Sequence, residues 1–170
     1  QLLLLARFEN QKQNVKQEAI YLNALILDNL TRFSEKSESK KLKVKTEFTE
    51  DYYLISDNYL VSIIISNLIS NAIKYSNPNG EIAIELGKTN DEVTFSITDY
   101  GVGIAKNDLD KIFNSFYRSD VSNHPEIKGT GLGLSIVKRL CDLLKLEITV
   151  ESKLNQGTKF VLNFPLSKLK

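Results

Sequence analysis

Asp57–Gly80, DNYLVSIIISNLISNAIKYSNPNG, reads as one helix followed by a stop signal, and its two faces differ in chemistry. Asp57 suits an N-cap, because a short acceptor side chain satisfies the backbone N–H groups left open at a helix start. Asn77-Pro78-Asn79-Gly80 ends the helix near Ser76, since proline and glycine both break it. Between these limits Leu60, Ile64, Leu68 and Ala72 form one apolar stripe at helical spacing, fit for a core. Asn67, Asn71 and Lys74, four and three residues apart, share an adjacent face. Amides on an apolar helix need partners, because a buried unsatisfied amide costs on the order of a few kcal/mol. Their carbonyl oxygens suit a hard cation such as Mg2+, and the lysine suits phosphate. The alternative is that they are exposed or bonded to the backbone.

Outward from this helix, strands come mostly in hairpin-linked pairs. Glu81–Gly87 and Glu92–Thr98 flank the turn Lys88-Thr89-Asn90-Asp91. Upstream, Gln17–Tyr21 reads as a short strand and Leu22–Ser37 as a helix, with Leu22, Leu25, Ile26, Leu30 and Phe33 at helical spacing. Lys41–Phe48 alternates as a strand, with Tyr52–Ile55 as its expected partner. The mixed-sign run Ser34–Lys45 reads as a solvated helix end and turn. Downstream, Asp108–Phe116 is a short helix, Ser119–Lys128 a polar loop and Leu132–Leu144 a helix. Leu146–Ser152 and Thr158–Pro165 form a last hairpin. The pattern is α/β (α+β): a two-layer sandwich of a mixed, mostly antiparallel sheet with helices on one face.

Composition narrows the class. The 170 residues, 42% hydrophobic and 25% charged, are ordinary for one compact soluble domain. A net charge of +1 predicts no strong field for nucleic acid or an anionic membrane. The longest apolar run, Leu60–Ile69, is interrupted and well short of the roughly 20 residues that cross a bilayer. The lone Cys141 has no partner for a disulfide or zinc site and lies in an apolar helical pattern, so a buried thiol is expected. With no Met in the sequence, the chain reads as an excised fragment.

Two glycine-rich turns add to the amide face. Asp99-Tyr100-Gly101-Val102-Gly103 directly follows a strand. A carboxylate there can accept a hydrogen bond from the amino group of adenine, whereas guanine would oppose it with a carbonyl oxygen. The other reading is a glycine turn capped by Asp. Gly129-Thr130-Gly131-Leu132-Gly133-Leu134 lies before a helix, where backbone N–H groups and the positive dipole end suit phosphates. It is neither the dinucleotide fingerprint nor a Walker motif, since Gly87-Lys88-Thr89 has Ile82 where that motif needs glycine. Gly157-Thr158 in the last hairpin reads by itself as a turn.

In this order the elements resemble the N, G1, F, G2 and G3 boxes of the histidine kinase catalytic domain. That family shares the Bergerat ATP-binding fold with gyrase, the Hsp90 chaperones and MutL. The N box is Asn67–Ser76, G1 Asp99–Gly103, the F box Ile112–Arg118, G2 Gly129–Leu134 and G3 Gly157-Thr158. The resemblance covers roughly Leu42–Pro165 and implies ATP and Mg2+ as cofactors. Asn71, with Asn67, would hold the metal, and Lys74 and Tyr75 would lie near the phosphates and nucleotide. Asp99 would bind adenine in a pocket shaped by Gly101, Gly103 and Ile104. Gly129, Gly131 and Gly133, with Lys128, Thr130, Leu132 and Leu134, would anchor a lid and approach the phosphates. Tyr117 and Thr158 would complete the nucleotide's surroundings. Phe113 and Phe116 would pack the lid's base or serve the core, and Arg118 would reach the γ-phosphate or form a surface ion pair. Asn71, Lys74 and Arg118 are the expected catalytic set.

The resemblance also separates subclasses. Hydrolysing relatives carry a glutamate four residues before the metal-binding asparagine, as general base for water. Asn67 stands there, and an amide cannot take a proton at neutral pH. The domain is expected to hold ATP for a histidine on another domain. The only histidine, His124, lies in the presumed lid before Pro125 and is expected to be a loop residue. Residues 1–12 resemble the end of a dimerisation hairpin helix and linker, with 13–170 the catalytic domain. The expected partners are the dimerisation and phosphoacceptor domain of the same kinase and a response regulator, with no nucleic acid. The fragment is expected to be a cytoplasmic monomer cut from a homodimeric, membrane-anchored parent. Tyr100 departs from the family's usual small or polar residue. It would wall the pocket or face outward. A degenerate partner-docking module and an anti-sigma-type serine kinase are the alternatives.

Overall fold

The computed structural model describes residues 3, 4, 6, 14–118 and 131–165. The central sheet has the order β2 (Lys43–Phe48), β4 (Glu81–Lys88), β5 (Glu92–Asp99), β7 (Gly157–Pro165) and β6 (Glu147–Lys153). β2 runs parallel to β4, and the other pairs are antiparallel. A second, two-stranded sheet joins β1 (Glu18–Tyr21) to β3 (Tyr53–Ser56), with Ile20 opposite Leu54.

The long helix α3 (Asn58–Tyr75) buries Leu60, Ile64, Leu68 and Ala72 as its spacing predicts. It packs against β5 and against α1 (Leu22–Arg32) and α4 (Gly133–Leu144). Ile84, Phe95 and Leu162 of the sheet meet Ile136 and Leu140 of α4 in one core. Fully burying each such side chain contributes about 1.5–3 kcal/mol. Helices on one face of a mixed sheet is the two-layer sandwich expected.

Three local expectations are corrected. The helix expected over 22–37 breaks at Phe33, where φ is −98° and ψ 6°, and restarts as α2 (Ser34–Ser39). SEKSES buries no residue, so nothing holds it on the axis of α1. Tyr52–Ile55 does not pair with the strand at 43–48. It pairs with β1, which lets Leu54 and Ile20 bury together, while β2 joins β4 across the α3 connection. The stretch 108–116 is not a regular helix. A 3-10 turn at Lys106–Asp108 leads into bends in which only Ile112 is buried. Leu109, Ile112, Phe113 and Phe116 keep helical spacing, but Phe116 is exposed and has φ +63°, so burial does not hold the stretch as one helical face.

Candidate functional site

Both ends of α3 are tied. Asp57 Oδ1 accepts the N–H of Leu60 at 3.0 Å, the expected cap, and Oδ2 accepts that of Lys16 at 3.0 Å. At the other end Lys40 Nζ donates to the carbonyls of Ile73 (2.9 Å), Lys74 (3.1 Å) and Ser76 (2.7 Å). A cation over the open carbonyls of a helix C-terminus satisfies them and complements the dipole.

The turn after β5 leans on this helix end. Val102 N–H donates to Tyr75 O at 3.1 Å. Gly101 is so close that a Cβ there would lie 1.8 Å from the same oxygen. Gly103 has φ +69°, a conformation that favours glycine, and is packed on Lys153 of the last hairpin. Ile104 N–H donates to Ser152 Oγ at 2.8 Å. Asp99 is thereby held, buried, at the end of β5, opposite Thr158 of β7. Its carboxylate accepts the N–H of Gly101 at 3.0 Å. Burial pushes the carboxyl from 3.8 up to about 6, against the N–H groups of Gly101 and Thr158 and the charge of Lys40. Tyr100 faces outward, 54% exposed.

A cleft of about 510 Å³ opens above this carboxylate, with Ile104, Ile112, Leu134 and Phe160 as apolar walls and Tyr75 and Thr158 beside Asp99. A second lobe of about 530 Å³ adjoins it, lined by Asn67, Ser70, Lys74, Gly131 and Gly133. Asn71, Tyr75, Tyr117 and Arg118 belong to both lobes. Burial, then the charges of Arg118 and Lys36, holds the Lys74 ammonium below its usual range. Burial raises the Tyr75 phenol. One end of the cleft has apolar walls around the buried Asp99 carboxylate and Thr158 hydroxyl, and the other is amide-lined and cationic. That polarity matches a base joined to phosphates.

The sequence-derived residues converge well. Asn67, Asn71, Lys74, Tyr75, Asp99, Gly103, Ile104, Tyr117, Arg118, Gly131, Gly133, Leu134 and Thr158 all line the cleft. Gly101 lies beneath it, against α3, and Leu132 is buried at 2% exposure. Asn67 Nδ2 donates to Ile63 O at 2.9 Å, the backbone bond foreseen as the alternative. Phe113 packs edge-on against Phe160, and Phe116 is exposed. Lys128, Gly129, Thr130 and His124 lie outside the described residues. Sequence reading missed Ile112 and Phe160 as walls and Lys40 as the helix clamp. Alternation in the last strand signals an inward Phe160, but nothing distinguishes Lys40 within its charged run.

Fold and cleft together define a nucleotide-binding domain of the two-layer α/β kind. Residues 56–168 match the family model described as histidine kinase-, DNA gyrase B-, and HSP90-like ATPase. The chain belongs to this ATP-binding family. It is 34% identical to sensor protein RprX of Bacteroides fragilis, over 98% of this chain and 33% of that protein. It is also 34% identical to sensor protein kinase GraS of Staphylococcus aureus strain JH1, over 96% of this chain and 47% of that one. The chain thus spans about a third to a half of these curated relatives. Among solved structures, the catalytic domain of histidine kinase ThkA superposes with a TM-score of 0.77 at 28% identity, covering 88% of this chain and 97% of that one.

Proposed function

We propose that this chain is the ATP-binding kinase domain of a sensor histidine kinase, passing the γ-phosphate to a histidine of a separate dimerisation domain. The observation that carries this reading is one cleft with the buried Asp99 carboxylate at its apolar end and Asn67, Asn71 and Lys74 at the other. Asp99 accepts from the adenine amino group, with Tyr75, Gly103, Ile104 and Thr158 around the base.

The residues fit a magnesium ion. Because Asn67 Nδ2 is spent on Ile63 O, its Oδ1 is turned to the other side, where a Cβ on Gly133 would meet it at 3.0 Å. Asn71, one turn on, reaches both lobes. Asn71 and Asn67 would hold Mg2+, which when bound neutralises phosphate charge. Lys74 and Arg118 add positive charge to the same lobe. Asn67 is no base, so water is not activated and ATP awaits an imidazole. In the transfer an N–P bond forms to the imidazole, and the bond from the γ-phosphorus to the oxygen bridging the β-phosphate breaks, leaving ADP. The curated relatives matched are sensor kinases, which favours this class over a serine kinase or a docking module. A response regulator then takes the phosphoryl group, and the parent is a homodimer with its own membrane anchor.

The test is calorimetry with ATP and MgCl2, followed by incubation with a supplied dimerisation domain and labelled ATP. Micromolar to low-millimolar ATP binding, slow hydrolysis and an acid-labile, base-stable phosphoryl adduct are expected. No ATP binding, or an acid-stable adduct, refutes the reading.

A further inference from the structure

Lys40 lies on no wall of the two-lobed cleft, yet its bonds meet the backbone that shapes it. Its ammonium donates to the carbonyls of Ile73, Lys74 and Ser76 at 2.9, 3.1 and 2.7 Å. Three acceptors match the three donors of an ammonium group. Its own carbonyl accepts the N–H of Asn79 at 2.9 Å, so the residue is held at both ends. The carbonyl between these, that of Tyr75, goes to Val102 N–H at 3.1 Å. The last turn of α3 is thus shared between Lys40 and the glycine turn that follows Asp99.

We propose that Lys40 is a positioning residue for the nucleotide: by clamping the end of α3 it fixes the Tyr75 carbonyl on which the 101–102 turn rests, and so sets Asp99 and Lys74 in register across the cleft. The inference rests on the ATP reading above. Its charge has a second effect. Asp99 faces the N–H groups of Gly101 and Thr158 and the Lys40 charge, with Tyr75 and Arg118 along the same cleft. Lys40 favours the ionised carboxyl, the better acceptor for an amino group.

The experiment compares the wild-type chain with Lys40→Met, which keeps the aliphatic stem, and Lys40→Arg, which keeps the charge. ATP affinity is measured by calorimetry at pH 8, where the phosphates are fully ionised. The Asp99 carboxyl is titrated by carbon-13 NMR in nucleotide-free protein. Lys40→Met is expected to bind ATP roughly tenfold more weakly and to raise the Asp99 midpoint by about a few tenths of a pH unit. Lys40→Arg is expected to restore most of that midpoint. Should Lys40→Met not fold, as judged by circular dichroism, Lys40→Gln takes its place with the same expectations. Binding within twofold of wild type and an unmoved midpoint in the uncharged variant would overturn the proposal. Wild-type protein that binds no ATP would refute the kinase reading instead, leaving the titration to decide the role of Lys40.

Discussion

Gly101 and Tyr75 touch backbone to backbone: a Cβ on the glycine would lie 1.8 Å from the tyrosine's carbonyl oxygen. No side chain relieves such an overlap, so the turn or the helix end must move. Gly101→Ala is expected to cost about 3 kcal/mol in denaturant unfolding and to weaken ATP binding at least tenfold. A variant with wild-type stability would show that the turn is free of α3.

Asp99 opposes folding near neutral pH. The unfolded chain titrates this carboxyl near 3.8 and the folded one near 6, so the folded state binds more protons between those values. Stability from this group therefore falls as pH rises from about 4 to 6, and the full penalty, on the order of 3 kcal/mol, stands above pH 6. Asp99→Asn should raise the melting temperature at pH 7.5, with the advantage vanishing below pH 4, while weakening ATP binding about 100-fold. Unchanged ATP affinity would remove Asp99 from the purine site.

Gly133 tests the amide face. An added methyl would meet Asn67 Oδ1 at 3.0 Å, a contact relieved only if the amide shifts by a few tenths of an ångström. Alanine also favours the helix over glycine by roughly 0.5–1 kcal/mol. Gly133→Ala is thus expected to leave stability level or slightly higher while lowering affinity for ATP several-fold in magnesium. Equal losses with and without magnesium would separate Asn67 from the metal.

Cys141 is fully buried on α4, and its thiol is pushed up to about 12, chiefly by burial. The thiolate is the reactive form, so native protein should resist a disulfide reagent at pH 8 and react at once in denaturant. Rapid labelling of folded protein would contradict the packing of α4.

Periodicity made the elements with a single apolar face legible. α3, α4 and the two downstream hairpins lie where alternation and helical spacing place them, because burial of one face selects both period and register. Strand partners are another matter. Tyr53–Ser56 carries a strand pattern but nothing in it that chooses β1 over β2, and that choice is made by what Ile20 and Leu54 bury together. The cleft was legible where chemistry is unusual for its setting, as at Asn67, Asn71 and Asp99. Lys40 was not, since a lysine among lysines shows its role only when a helix end arrives beside it.

Asp99 ends a strand that is laddered along both edges, to β4 and to β7. Exposing the amides of such a strand to solvent requires both ladders to part, which in a small domain amounts to global opening. The Asp99 end of the cleft is therefore anchored in a strand whose amides are expected to exchange slowly, so on the proposed ATP reading the base would meet a preformed surface. On the same reading, exchange of ADP for ATP would then need no rearrangement of the sheet.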